Sequence, residues 1–146
     1  MTHGIQSQTN DSNGTFDALQ AAYGKKIIKI DFSQDSGHND VNLNLCFDDG
    51  SILIILDDYN LCCETRYMHT DDNLRPFVGH YFIGAEVRGG RETYNGPIGQ
   101  HDIKFLIITT SIGQFTVVTH NMHNGYYGGF NIKAVLIRAG MTAGAR

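Results

Sequence analysis

At 146 residues, 41% hydrophobic and 18% charged, the chain has the size and balance of one globular domain, long enough to bury about two-thirds of its surface. A formal charge of −4 argues against a protein that coats a nucleic-acid polymer, although 11 Lys and Arg leave room for a local positive pocket. No apolar run reaches the length of a membrane span, the first residues lack the basic and apolar regions expected of a secretory leader, and 3 Cys with Cys62 beside Cys63 fit the expectation of a reduced, cytoplasmic protein.

Residues 1–14 are polar and rich in turn formers and read as a flexible N-terminal tail. TFDALQAAYG, closed by Gly24, predicts a short helix. Lys25 to Phe32 has the β-branched content of a strand. NLNLCFDDGSILIILDDY is the clearest hairpin, turning at Asp48-Asp49-Gly50. Its first run alternates Leu43, Leu45 and Phe47 with polar partners, and its second, Ile52 to Leu56, is apolar on both faces and expected to be central.

A strand or irregular segment follows through NLCCETRY, then a helix start at Thr70 with Asp71 and Asp72 in its first turn, cut short by Pro76. Tyr81 to Val87 predicts a strand, and RGGRETYNGPIGQHD a long Gly-rich loop. Lys104 to Thr110 and Gln114 to Thr119 form a second hairpin about Ser111-Ile112-Gly113. His120 to Gly129 reads as a loop, Phe130 to Arg138 as the last strand, and residues 139–146 as a C-terminal tail. The expected fold is mostly β (α+β): about seven largely antiparallel strands in a sandwich or open barrel, with one or two short helices, as a single domain over residues 15–138.

Two segments carry the types of residue that chemistry needs. His120 to Phe130 places two His, two Asn, two Tyr and three Gly between strands, where a plain hairpin uses two to five residues. Gly admits close backbone approach, Asn offers donor and acceptor, and Tyr a stacking face with a polar tip. The competing reading is a decorated turn covering a sheet edge. Cys62 to Asp72 follows a buried strand, and Arg66 there is suited to fork onto a phosphate or carboxylate. One thiol of the Cys62–Cys63 pair is expected in the core. Arg88 and Arg91 put two cations on the Gly-rich loop.

Enzyme signatures are weak. His120 and His123 are spaced three apart, and His69, His80, His101, Cys62 and Glu64 are further possible ligands, but C-x-x-C, H-E-x-x-H and EF-hand patterns are absent. The serine-hydrolase elbow, P-loop and dinucleotide fingerprints are absent too, and nothing places a histidine beside a Cys62 or Cys63 nucleophile. Neither a metal, a cofactor nor a catalytic residue is assigned.

CCETRYMHTDDNLRPFVGHYFIGAEVRGG and HDIKFLIITTSIGQFTVVTHNMHNGYYGGFNIK together resemble a domain family of unknown function common in phage and bacterial small proteins. The resemblance covers roughly Lys25 to Arg138 and rests on Cys62 to Glu64, Asn73 to Gly79, Glu86 to Arg88 and, most specifically, His120 to Phe130. It implies a small β-rich domain in a phage-like setting, acting in the host cytosol, and carries no assigned activity.

That setting shapes the functional expectation. It is a non-catalytic binder, or sponge, for a nucleotide-type immune signal such as a cyclic oligonucleotide or an ADP-ribose derivative. Tyr126 and Tyr127 are expected to stack on a base, Asn121 and Asn124 to read polar edges, and Arg66 with Arg88 or Arg91 to neutralise phosphate. Tyr67, His69, His120 and His123 complete the expected ligand-binding set. The rivals are an enzyme that degrades such a signal through His120, His123 and Glu64, and a protein–protein inhibitor module using a sheet edge. A homo-oligomer is expected, since two copies can close a shallow pocket around a small ligand.

Overall fold

The computed structural model describes residues 12–34, 41–58, 64–94, 99–124 and 129–140. Its elements in chain order are α1 (Ser12–Ala22), β1 (Ile27–Gln34), β2 (Val41–Phe47), β3 (Ile52–Asp57) and β4 (Thr65–His69), a 3-10 turn at Arg75–Phe77, then β5 (Phe82–Tyr94), β6 (Gln100–Thr110), β7 (Gly113–His123) and β8 (Ile132–Ile137). The strands pair antiparallel in two four-stranded sheets, ordered β1-β2-β3-β8 and β4-β7-β6-β5.

The mostly β expectation therefore holds, as a sandwich with no closed barrel. Side chains alternate along each strand, so every second residue faces the other sheet. Leu43, Leu45 and Phe47 of β2 and Leu53 and Ile55 of β3 meet Met68, Phe82, Leu106, Ile108, Phe115 and Val117 from the second sheet in one buried core. The hairpin at Asp48-Asp49-Gly50 forms where expected. Gly50 takes φ 87° there, and the Asp49 carboxylate accepts from the Ser51 backbone N–H at 2.9 Å. β3 lies inside its sheet, between β2 and β8. α1 covers the edge strand β8: Thr15 Oγ1 accepts from the Ala134 backbone N–H at 3.3 Å, and Ala18 and Ala22 join the core.

Four differences from the expected boundaries bear on the site. Thr70 starts no helix: its hydroxyl accepts from Asp72 N–H at 3.1 Å and donates to the Thr116 carbonyl at 2.7 Å, so the side chain takes over the local bonding. β5 runs on through Arg88-Gly89-Gly90-Arg91, with a bulge there against β6. β6 begins at Gln100 and β7 continues to His123, so polar ends that read as loops are strand.

Candidate functional site

The inner face of the sandwich changes character along its length. On β7 the inward residues run Phe115, Val117, Thr119, Asn121, His123; on β6 they run Ile108, Leu106, Lys104, Asp102, Gln100; on β3, Leu53, Ile55, Asp57. One end of the core is thus apolar and the other is lined with polar and charged groups.

Arg66 is the centre of the polar end. It is only 2% exposed, on β4, cross-strand from Asn121, which pairs in turn with Asp102. One guanidinium nitrogen donates to Asp57 Oδ2 at 2.6 Å and to the Gly129 carbonyl at 3.0 Å. The other edge of the fork meets Glu64, at 2.6 Å to Oε2 and 3.3 Å to Oε1. Burial works against the charge on Arg66, but the hydrogen bonds and charges of Glu64 and Asp57 outweigh it and hold its pKa above the ordinary value. Asp57 Oδ1 also accepts from Asn131 N–H at 2.9 Å, which ties the start of β8 to the end of β3.

Asn121, 0% exposed, donates from Nδ2 to Glu64 Oε2 at 3.1 Å and to the Gly129 carbonyl at 3.3 Å. Both partners are acceptors, so the amide orientation is set by the network. Its Oδ1 is left without a hydrogen-bond partner among the described residues, as is Thr119 Oγ1 on the same inner face. His123 Nε2 donates to Asp102 Oδ2 at 2.7 Å, and Gln100 Nε2 donates to Asp102 Oδ1 at 3.0 Å.

Beside this floor opens a cleft of about 520 Å³ lined by Gly89, Gly90, Asp102, Ile103, Lys104, Gly129 and Phe130. The glycine pair shapes one wall. Gly90 has φ 131°, and a Cβ there would lie 2.0 Å from the Ile103 carbonyl oxygen, so only glycine lets β5 approach β6 so closely. Phe130 lies with its ring centroid 5.9 Å from the Arg66 guanidinium carbon.

The expected ligand-binding residues separate into two groups, on opposite faces of one sheet. Arg66, Asn121 and His123 face inward, towards the polar end, and the Cys62–His69 and His120–Phe130 stretches do meet there, through Glu64, Arg66, Asn121 and Gly129. Tyr67, His69, His120 and Arg88 face outward, Arg88 paired with Glu86. His120 and His123 sit three apart on a strand, not a loop, so their rings point to opposite sides and cannot act on one substrate. Asn124 lies just beyond β7 and is exposed. Tyr126, Tyr127, Cys62 and Cys63 lie outside the described residues, as does the side chain of Arg91. The residues alone gave no role to Asp57, Asp102, Lys104 or the Gly89–Gly90 pair, and marked Phe130 only as the end of the His120–Phe130 segment. The inward alternation Leu53, Ile55, Asp57 was the one available signal.

Among the described residues no group of three or more His, Cys, Asp or Glu is arranged to hold a metal ion, and no helix is long and apolar enough to cross a membrane. No curated protein and no solved structure matches the chain. Residues 20–132, from within α1 to the first residue of β8, match the family described as a domain of unknown function, DUF7448, and the chain belongs to that family.

Proposed function

We propose that the protein is a small-molecule-binding domain that holds a nucleotide-type ligand in the cleft between the β5 bulge and Phe130, without cleaving it. The observation that carries this reading is the cleft itself. Its volume of about 520 Å³ falls in the range of small-molecule sites, and it combines a close backbone approach at Gly90, an aromatic ring and both signs of charge. Phe130 offers a face for a base, a contact of the order of 1–3 kcal/mol. Lys104 is the cation on the cleft wall, placed to meet a phosphate, and Asp102 is an acceptor for a ring or exocyclic N–H.

Arg66 changes role in this reading. Its fork is held by Asp57 and Glu64, so it builds the floor, and Lys104 is assigned to the phosphate because it is the cationic residue in the cleft lining. The ligand class is that of nucleotide immune signals, cyclic oligonucleotides or ADP-ribose derivatives, held by a phage-encoded sponge acting in the host cytosol as a homo-oligomer. Isothermal calorimetry against a panel of these nucleotides tests the reading, with chromatography of the ligand recovered after heat release and light scattering for the assembly. Expected are binding by at least one member, recovery of that ligand intact, and a loss of tenfold or more in affinity in Lys104→Ala and Phe130→Ala. Absence of heat with every member of the panel, from folded protein, overturns it.

A further inference from the structure

The polar end of the sandwich is rich in acceptors and short of donors. Asn121 spends its Nδ2 on Glu64 and the Gly129 carbonyl, while its buried Oδ1 has no partner among the described residues. Asn121 pairs across the sheet with Asp102, which is 5% exposed and lines the cleft. The second orphaned group, Thr119 Oγ1, pairs across from Lys104, another cleft residue. Both orphans thus stand directly behind the cleft wall, and a floor of this kind favours a ligand edge made of donors. We propose that Asp102 reads a guanine base in the cleft, accepting from its N1–H and from its 2-amino group. The inference rests on the cleft reading above and specifies which nucleotides the cleft takes.

The carboxylate of Asp102 is already aimed. Gln100 Nε2 donates to Oδ1 at 3.0 Å and His123 Nε2 donates to Oδ2 at 2.7 Å. One donor on each oxygen fixes the plane of the group, and each oxygen keeps a further acceptor site. His123 is the histidine that faces inward here. His120 is engaged on the outer face, with Nε2 2.7 Å from His69 Nδ1 and Nδ1 2.8 Å from His101 Nε2.

Two acceptor sites side by side call for two N–H groups side by side. Guanine has that edge: N1–H and one 2-amino N–H point the same way, and a carboxylate takes both as it takes the fork of an arginine. Adenine sets a bare ring nitrogen beside its 6-amino group, so one carboxylate oxygen would meet a lone pair. Cytosine has the same conflict at its ring nitrogen, and uracil offers one N–H between two carbonyls. A site built to hydrogen-bond rejects a ligand that leaves its polar groups opposed or unpaired.

The rest of the cleft suits a flat base with a charged tail. Gly89 and Gly90 form a wall without side chains, and Phe130 offers a ring face. Asp102 and Lys104 lie two residues apart on β6, so they share its inner face. The carboxylate meets the base and the ammonium meets the phosphate.

The test is isothermal calorimetry of the folded chain with cyclic di-GMP, cyclic di-AMP and cyclic di-IMP, which share a backbone and differ in base. Hypoxanthine, the base of the third, keeps N1–H and lacks the 2-amino group. Expected is cyclic di-GMP at least about tenfold tighter than cyclic di-AMP, with cyclic di-IMP between them. In Asp102→Asn, with its fold checked by circular dichroism, one acceptor becomes an N–H and the preference for guanine should disappear. Should that variant fail to fold, the three wild-type affinities still decide. Adenine bound as tightly as guanine, loss of the 2-amino group without effect, or a preference kept in folded Asp102→Asn overturns the guanine readout and leaves the cleft reading standing. Binding of ADP-ribose alone does the same, whereas silence of every nucleotide ends both.

Discussion

At the scale of single residues, Arg66 on the inner face of the second sheet is buried charged and His120 on its outer face is buried neutral. Arg66 is buried with both carboxylates it needs, so removing it strands two negative charges in a dry place. Arg66→Met is expected to cost about 3–5 kcal/mol in urea unfolding, and Arg66→Lys less, because the charge remains while the fork is lost. His120 is buried in the neutral form. Its folded pKa of about 4 lies below the unfolded value of roughly 6.5, so the unfolded chain takes the proton more readily. The associated stability is fully present above about pH 6.5 and is lost as pH falls towards 4. Between pH 7 and pH 5 wild type should lose about 2 kcal/mol more than His120→Gln, and equal losses would count against the buried neutral ring.

Elements pose a different question, namely why polar stretches became strand. The ends of β5, β6 and β7 read as loops because RGGRET, QHD and HNMH lack the apolar alternation that marks a half-buried strand. In the fold the ends of β6 and β7 do alternate, but the inward residues are charges and amides, Asp102 on β6 and Asn121 and His123 on β7, which bond to groups from neighbouring segments. Arg66 and Asp102 each have one partner two residues away, Glu64 and Gln100, but the partners that complete the network, Asp57 for Arg66 and His123 for Asp102, come from other strands and lie outside any local window. The bulge in β5 is the sharpest case. Gly90→Ala is expected to destabilise by about 1–3 kcal/mol from its backbone conformation alone, with more from the contact with the Ile103 carbonyl. Gly89→Ala, at φ 39° with nothing within 4 Å of the added carbon, should cost less in the same urea titration.

For the whole molecule, the apolar end of the sandwich holds most of the hydrophobic core, and the polar end is where the binding proposed above would take place. Phe115, 1% exposed between the sheets, should cost about 3–5 kcal/mol when cut to Ala, against less than about 1 kcal/mol for Phe16, which is 45% exposed on α1. Thermal or urea unfolding distinguishes them directly. The pairing of β3 with β8, Ile52 to Ile137, joins chain segments far apart in sequence. Such topology delays the gain from contacts until long loops close, so refolding in stopped flow should take milliseconds to seconds rather than microseconds.

Legible in the residues alone were the class of fold, the hairpin at Asp48-Asp49-Gly50 and the central place of β3 in its sheet, whose second face, Ile52, Ile54 and Leu56, is only half-buried. Those follow from period-two patterning, turn residues and apolar runs, all of which act within a few positions. The sequence also marked Arg66, Asn121, His120 and His123 as unusual. Only the tertiary structure decided what they do. Two adjacent positions on a strand face opposite ways, and a side chain's chemistry depends on which face it joins and what waits there. Arg66 met Asp57 and Glu64, His120 met His69 and His101, and Gly90 met the Ile103 carbonyl. Those encounters are set by strand register across the sheets, which local patterning does not encode.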